Sequence, residues 1–155
     1  MKSHILLLAL LVPLLGCTSS RPVAADVPSR EERAGSFESF PLVEIRRGFF
    51  GSTEARAEGI VEANRQYLIW SAGGRDILAL RSEVVVEGWL HCVEREAADN
   101  LCLELGLRTL TGDRYFFRDR DWRAGGNRQV VALYDYLQTY YPAARFERRT
   151  VKKLR

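Results

Sequence analysis

The chain has 155 residues, 46% of them hydrophobic, with 23 basic against 20 acidic side chains and a formal net charge of +3. That is material for one domain with a proper core and too little for two comfortable ones. So even a balance gives no electrostatic argument for a nucleic-acid partner.

The N-terminus reads as an export signal. Lys2 is positive, Ile5 to Leu15 form an apolar run, and the small Gly16 precedes Cys17. That order of parts marks a segment read by the secretion machinery and then removed. At about 11 residues the run is too short for a membrane span, which needs about 20. The stretch Leu14-Leu15-Gly16-Cys17 resembles the lipobox of bacterial lipoproteins. The resemblance covers residues 1–20 and implies cleavage before Cys17 and acylation of that cysteine with palmitate-type chains, a membrane partner by lipid anchor. It makes residues 1–16 the signal peptide and leaves 139 of the 155 residues. Multiple acyl chains hold stably where one holds only marginally. By the same resemblance Thr18, standing where an Asp would retain the protein, favours the outer membrane, with the body in the periplasm. Pro13 is irregular in such a run, and an ordinary signal peptide with a chance cysteine is the alternative.

Residues 17–39 are rich in Ser, Pro, Arg, Glu and Ala. Such a composition buries too little surface to offset its ordering entropy, so it reads as a lipidated flexible tether. The globular domain is expected over residues 40–155. Leu42 to Phe50 suggests a first strand, ended by Gly51-Ser52. Residues 52–70 admit a helix, with Ile60, Ala63, Tyr67 and Trp70 on one face, or a hairpin turning at Asn64-Arg65; Gly59 favours the hairpin. Ala72-Gly73-Gly74 is a turn into Ile77 to Leu80.

Val84-Val85-Val86 opens a β-branched strand, and Leu101, Leu103, Leu105 and Leu107 alternate with Cys102, Glu104, Gly106 and Arg108. Period two belongs to a half-buried strand. An antiparallel pairing with Cys92 opposite Cys102 then sets Trp89 against Leu105, His91 against Leu103, Val93 against Leu101 and Gly88 against Gly106. It predicts a bridge on the outer, more polar face, and paired glycines leaving a window for an aromatic ring.

Thr111-Gly112-Asp113 reads as a turn and Tyr115 to Phe117 as a strand. Asn127 is a plausible cap for an amphipathic helix over 128–140, built on Val130, Leu133, Tyr134, Leu137 and Tyr141 and stopped by Pro142. Ala143 to Arg155 adds a last, basic strand. The expected fold is mainly β (α+β): one small β-sandwich or barrel-like domain of about six or seven antiparallel strands with one C-terminal amphipathic helix.

If Cys17 takes lipid, Cys92 and Cys102 remain in an oxidising compartment, where an even pair makes a disulfide. Two free buried thiols, or half of a metal site, are the alternatives. His91 reads as a packed core histidine, and no recognisable nucleophile, phosphate loop or zinc spacing accompanies it. The expectation is therefore no enzyme, no cofactor and no metal. A contact surface is expected instead from Trp122 in the Arg118–Arg123 charge run, the exposed Tyr136 and Tyr140, and the basic Arg145, Arg148, Arg149, Lys152 and Lys153. The basic segment also fits a solvated edge strand whose cations prevent strand addition.

The function so expected is a non-enzymatic accessory or assembly factor binding a protein of the envelope or of a secretion system. An inhibitor or immunity protein against a periplasmic enzyme or toxin, or a β-barrel for a small apolar ligand, are the alternatives.

Overall fold

The computed structural model describes residues 35–47, 53–94 and 101–151. The signal peptide, Cys17, nearly all of the tether, Gly51-Ser52, Lys152 and Lys153 lie outside the described residues. Eight strands and one helix follow in order: β1 (Glu38–Arg47), β2 (Thr53–Ala63), β3 (Tyr67–Ala72), β4 (Arg75–Arg81), β5 (Val85–Val93), β6 (Leu101–Thr109), β7 (Arg114–Asp119), α1 (Arg128–Tyr140) and β8 (Arg145–Val151). They form one sheet in the order β4-β3-β2-β1-β7-β6-β5-β8.

Mainly β with one C-terminal helix is correct. The strand number is eight, and the architecture is one open sheet, not a sandwich or a closed barrel. It is mixed, because β8 returns from α1 to lie parallel to β5 at the sheet edge while the other pairs are antiparallel.

The hairpins follow from local chemistry. Residues 53–72 are two strands, and the Asn64 side chain makes their turn by accepting the amides of Gln66 and Tyr67, each at 2.8 Å. Gly73 and Gly74 join β3 to β4 with φ of +57° and +74°, the left-handed pair that a two-residue hairpin turn requires.

One face of the sheet carries the core. Phe40, Leu42, Val61, Leu68, Trp70, Leu90, Leu105, Leu107 and Phe117 pack there against Val130, Leu133, Tyr134 and Leu137 of α1 and against Tyr141. The helix lies over β1, β5, β6 and β7. Its limits and buried face agree with the three-and-four spacing in the sequence. Its cap does not. Asn127 makes no capping side-chain bond; the Asp119 carboxylate, at the end of β7, accepts the amides of Gln129 (2.9 Å) and Val130 (2.8 Å) instead.

The β5–β6 register holds only in part. Val93 faces Leu101 and Cys92 faces Cys102, and then an extra residue enters β6, so that His91 faces Glu104, Leu90 faces Leu105, Trp89 faces Gly106 and Gly88 faces Leu107. This bulge breaks the strict alternation. Cys102 shares the core face with Leu105 and Leu107, and the cysteine pair, with sulfurs 2.05 Å apart, belongs to the core and not to the outer face. His91 moves the other way: it is half-buried on the face away from α1, not packed in the core.

The two glycines are not opposite each other, and each has its own ring on its own face. A Cβ on Gly88 would stand 2.3 Å from the Phe146 ring, and one on Gly106 2.2 Å from the Trp89 ring. Aromatic rings do cover the bare backbone, at two separate glycines and not over one paired window.

Candidate functional site

The face away from α1 is open and is ruled in three ranks crossing β8, β5, β6 and β7. Register aligns Arg145, Glu87, Arg108 and Arg114 in one rank, and Glu147, Trp89, Gly106 and Phe116 in the next. Arg149, His91 and Glu104 make the third, and Arg118 of β7 joins it through its ion pair with Glu104. Strand alternation puts these side chains on one side.

They interlock. The Arg118 guanidinium lies 4.4 Å over Trp122 and bonds Glu104 at 2.8 and 3.0 Å. Glu104 also takes Arg47, whose guanidinium sits 4.7 Å over Phe116. Phe116 meets Trp89 edge-on at 5.9 Å, and Arg149 lies 4.5 Å over Trp89 and reaches Glu87 at 2.6 Å. Glu87 also takes Arg108 at 2.7 Å. These arginines hold the Glu87 carboxyl below the usual range, the Arg108 hydrogen bond foremost, although desolvation opposes the shift. Glu104 is only 1% exposed and is held by two arginines, which compensate a carboxylate that would be costly to leave buried alone.

The expected contact residues divide among three places. Trp122, from the short helical turn Trp122–Ala124, sits at one end of the lattice, clasped by Arg118 and by Arg123 at 5.3 Å. Arg149 is at the other end, and Arg145 flanks it at the sheet edge, 3.7 Å from Glu147. Arg148 points to the α1 side, reaching Asp135 at 3.4 Å and lying 5.6 Å over Tyr134. Tyr136 and Tyr140 lie apart from all of these.

Those two tyrosines wall a groove of about 470 Å³ with Gly35, Glu38, Asn64 and Arg65. Their rings are 4.7 Å apart, Arg65 lies 5.1 Å over Tyr140, and Phe40 backs Tyr136 at 6.0 Å. Tyr140 is 37% exposed, whereas Tyr136 is half-buried, with burial pushing its phenol up from its ordinary value. Arg65 is expected only as a turn residue and Glu38 is not singled out at all, because they join the tyrosines only when β1 and the β2–β3 turn fold against α1.

A second groove, of about 430 Å³, opens beside the ends of β1 and β7. Arg46, Arg47, Arg56 and Arg114 line it together with Glu44 and Tyr115.

No family model and no curated protein matches the chain. Solved structures do. The C-terminal domain of an unknown protein from Leishmania infantum aligns with a TM-score of 0.44 at 9% identity, over 67% of this chain and 81% of that one. The Spt16D Pob3N heterodimer aligns with a TM-score of 0.50 at 14% identity, over 79% of this chain and 59% of that one. At such identity the likeness is one of fold alone. Among the described residues no helix is long and apolar enough to cross a membrane.

Proposed function

We propose that the chain is a lipid-anchored outer-membrane lipoprotein, not an enzyme, that binds a protein partner in the periplasm as an accessory factor of an envelope or secretion complex. The lipobox-like Leu14-Leu15-Gly16-Cys17 supports the anchor. The groove of Tyr136, Tyr140 and Arg65 carries the binding. Tyrosine and arginine supply large contact area with polar tips, the composition that dominates interface energetics. The ring pair and the Arg65 cation are already mutually oriented, so little side-chain freedom is lost on docking.

Two measurements test the two halves. Cells grown with labelled palmitate should yield labelled protein, and an unlabelled product would end the anchor reading. Crosslinking and capture from membranes should recover a partner, and Tyr140→Ala or Arg65→Ala should weaken capture about tenfold or more, as loss of a central interface residue does. Undiminished capture by both variants would remove the groove from the function. An envelope enzyme recovered 1:1 and inhibited by the protein would make it an inhibitor.

A further inference from the structure

We infer that in the free protein the tyrosine groove holds a segment of the chain itself, Asp26 to Arg30, which a partner must displace. The inference rests on the reading of that groove as the binding site and adds what fills it beforehand. Residues 1–34 lie outside the described residues, and the chain enters the fold at Gly35 and Ser36, which themselves line the groove. Gly35 has φ of +132°, which side-chain-bearing residues rarely adopt, and a Cβ there would stand 3.6 Å from Nδ2 of Asn64. The upstream chain therefore arrives at the rim of this groove.

The groove carries its groups in an order. Arg65 lies over Tyr140, Tyr140 lies against Tyr136, and Glu38 adds to the effect of burial in raising the Tyr136 phenol. The sequence of groups is a cation, two rings and an anion. Among the described residues neither Arg65 nor Glu38 makes an ion pair.

Asp26-Val27-Pro28-Ser29-Arg30 carries the complement, an anion, a proline and a cation at alternate positions. Pro28 fixes its own φ and keeps Val27 extended, so the three side chains project from one side about 7 Å apart. Asp26 meets Arg65, the pyrrolidine ring packs on the tyrosines, and Arg30 meets Glu38. A prolyl ring is already rigid and loses little freedom on an aromatic surface, which is how aromatic grooves take proline-bearing peptides. Pro22, flanked at the same spacing by Ser20 and Ala24, lacks both charges.

Pro28 is seven residues before Gly35. A chain of that length spans up to about 25 Å, ample to fold back onto the rim. So short a connection gives an effective concentration of about 1 mM, and an intrinsic Kd of about 0.1 mM then leaves about one groove in ten open.

The test uses the full chain in a non-ionic detergent and a fluorescently labelled peptide of residues 24–32, titrated by anisotropy. Asp26→Ala/Pro28→Ala changes only residues outside the described fold. The double variant is expected to bind the peptide with an apparent Kd about tenfold lower than wild type, because its own segment no longer competes. Adding Tyr140→Ala to it is expected to abolish binding. Equal Kd in wild type and double variant, no binding to the double variant, or binding that survives Tyr140→Ala overturns the inference. A wild-type Kd that falls to that of the variant on dilution assigns the occupant to a second copy and overturns it too. Capture from membranes separates this inference from the reading beneath it. Equal peptide affinities with capture still weakened by Tyr140→Ala strike the inference alone, whereas capture indifferent to Tyr140→Ala strikes the groove reading and the displacement with it.

Discussion

Tyr141 is 1% exposed, and its hydroxyl has no hydrogen-bond partner among the described residues. A buried hydroxyl left unpaired costs about 1–3 kcal/mol, so Tyr141→Phe is expected to be neutral or to stabilise by about 1 kcal/mol, read as a rise in Tm at pH 7. The variant also has a pH signature. Burial pushes the phenol well above its ordinary value of 10.0, with Tyr136 adding to the shift. A pKa raised in the folded state gives stability that is complete below pH 10 and lost as pH rises further, because the unfolded chain releases its proton first. Wild type should therefore lose more stability than Tyr141→Phe between pH 9 and 11. Equal losses would mean that Tyr141 is wetter than its burial implies. None of this was readable from composition; the helical spacing placed Tyr141 in the core, but only the packed fold shows that its oxygen has nothing to meet.

The helix shows what a linear reading reaches and where it stops. Its limits, its buried stripe and its end at Pro142 are local properties, set by periodicity and by backbone chemistry that neighbouring residues share. The cap is not local. Asn127 has the right identity in the right place, yet Asp119 reaches the same amides from β7 and ties strand to helix. Asp119→Ala should then cost about 2–3 kcal/mol, as two amides lose a charged acceptor inside the protein, while Asn127→Ala should cost a few tenths. Urea unfolding of both variants decides this, and a larger effect at Asn127 would refute the assignment. β6 teaches the same lesson. Four leucines in strict alternation are the strongest strand pattern in the chain, but one extra residue turns Cys102 to the face of Leu105 and Leu107. A bulge leaves no mark in hydrophobic periodicity, and here it moved the cysteine pair into the core and His91 out of it.

The whole sheet shares one core under one helix, so unfolding should be a single transition. The Cys92–Cys102 pair closes a short loop with a sequence separation of 10. The chain-entropy estimate for such a loop is about 2–3 kcal/mol. Cys92→Ala/Cys102→Ala should therefore lower stability by that much or more, since the buried side chains also lose packing, without splitting the transition. An unchanged Tm would deny the bridge any structural part. The same wholeness explains why the expected contact residues scattered. Trp122 and Arg149 end one lattice on the open face, Arg148 turns to the helix side, and Tyr136 and Tyr140 join Arg65 elsewhere.

By itself the sequence determined the hairpin turns, the helix, the mainly β class and the opposition of Cys92 to Cys102, because each rests on residues a few positions apart or on one short pairing. Only the tertiary structure decided the open eight-stranded sheet, the face each half of β6 presents, the cap from Asp119 and the two grooves. Those depend on partners distant in the chain, such as Arg47 and Glu104 at a separation of 57 residues. A period-two pattern states that a strand has two faces; it takes the neighbouring strands, and every bulge between them, to say which face meets the helix.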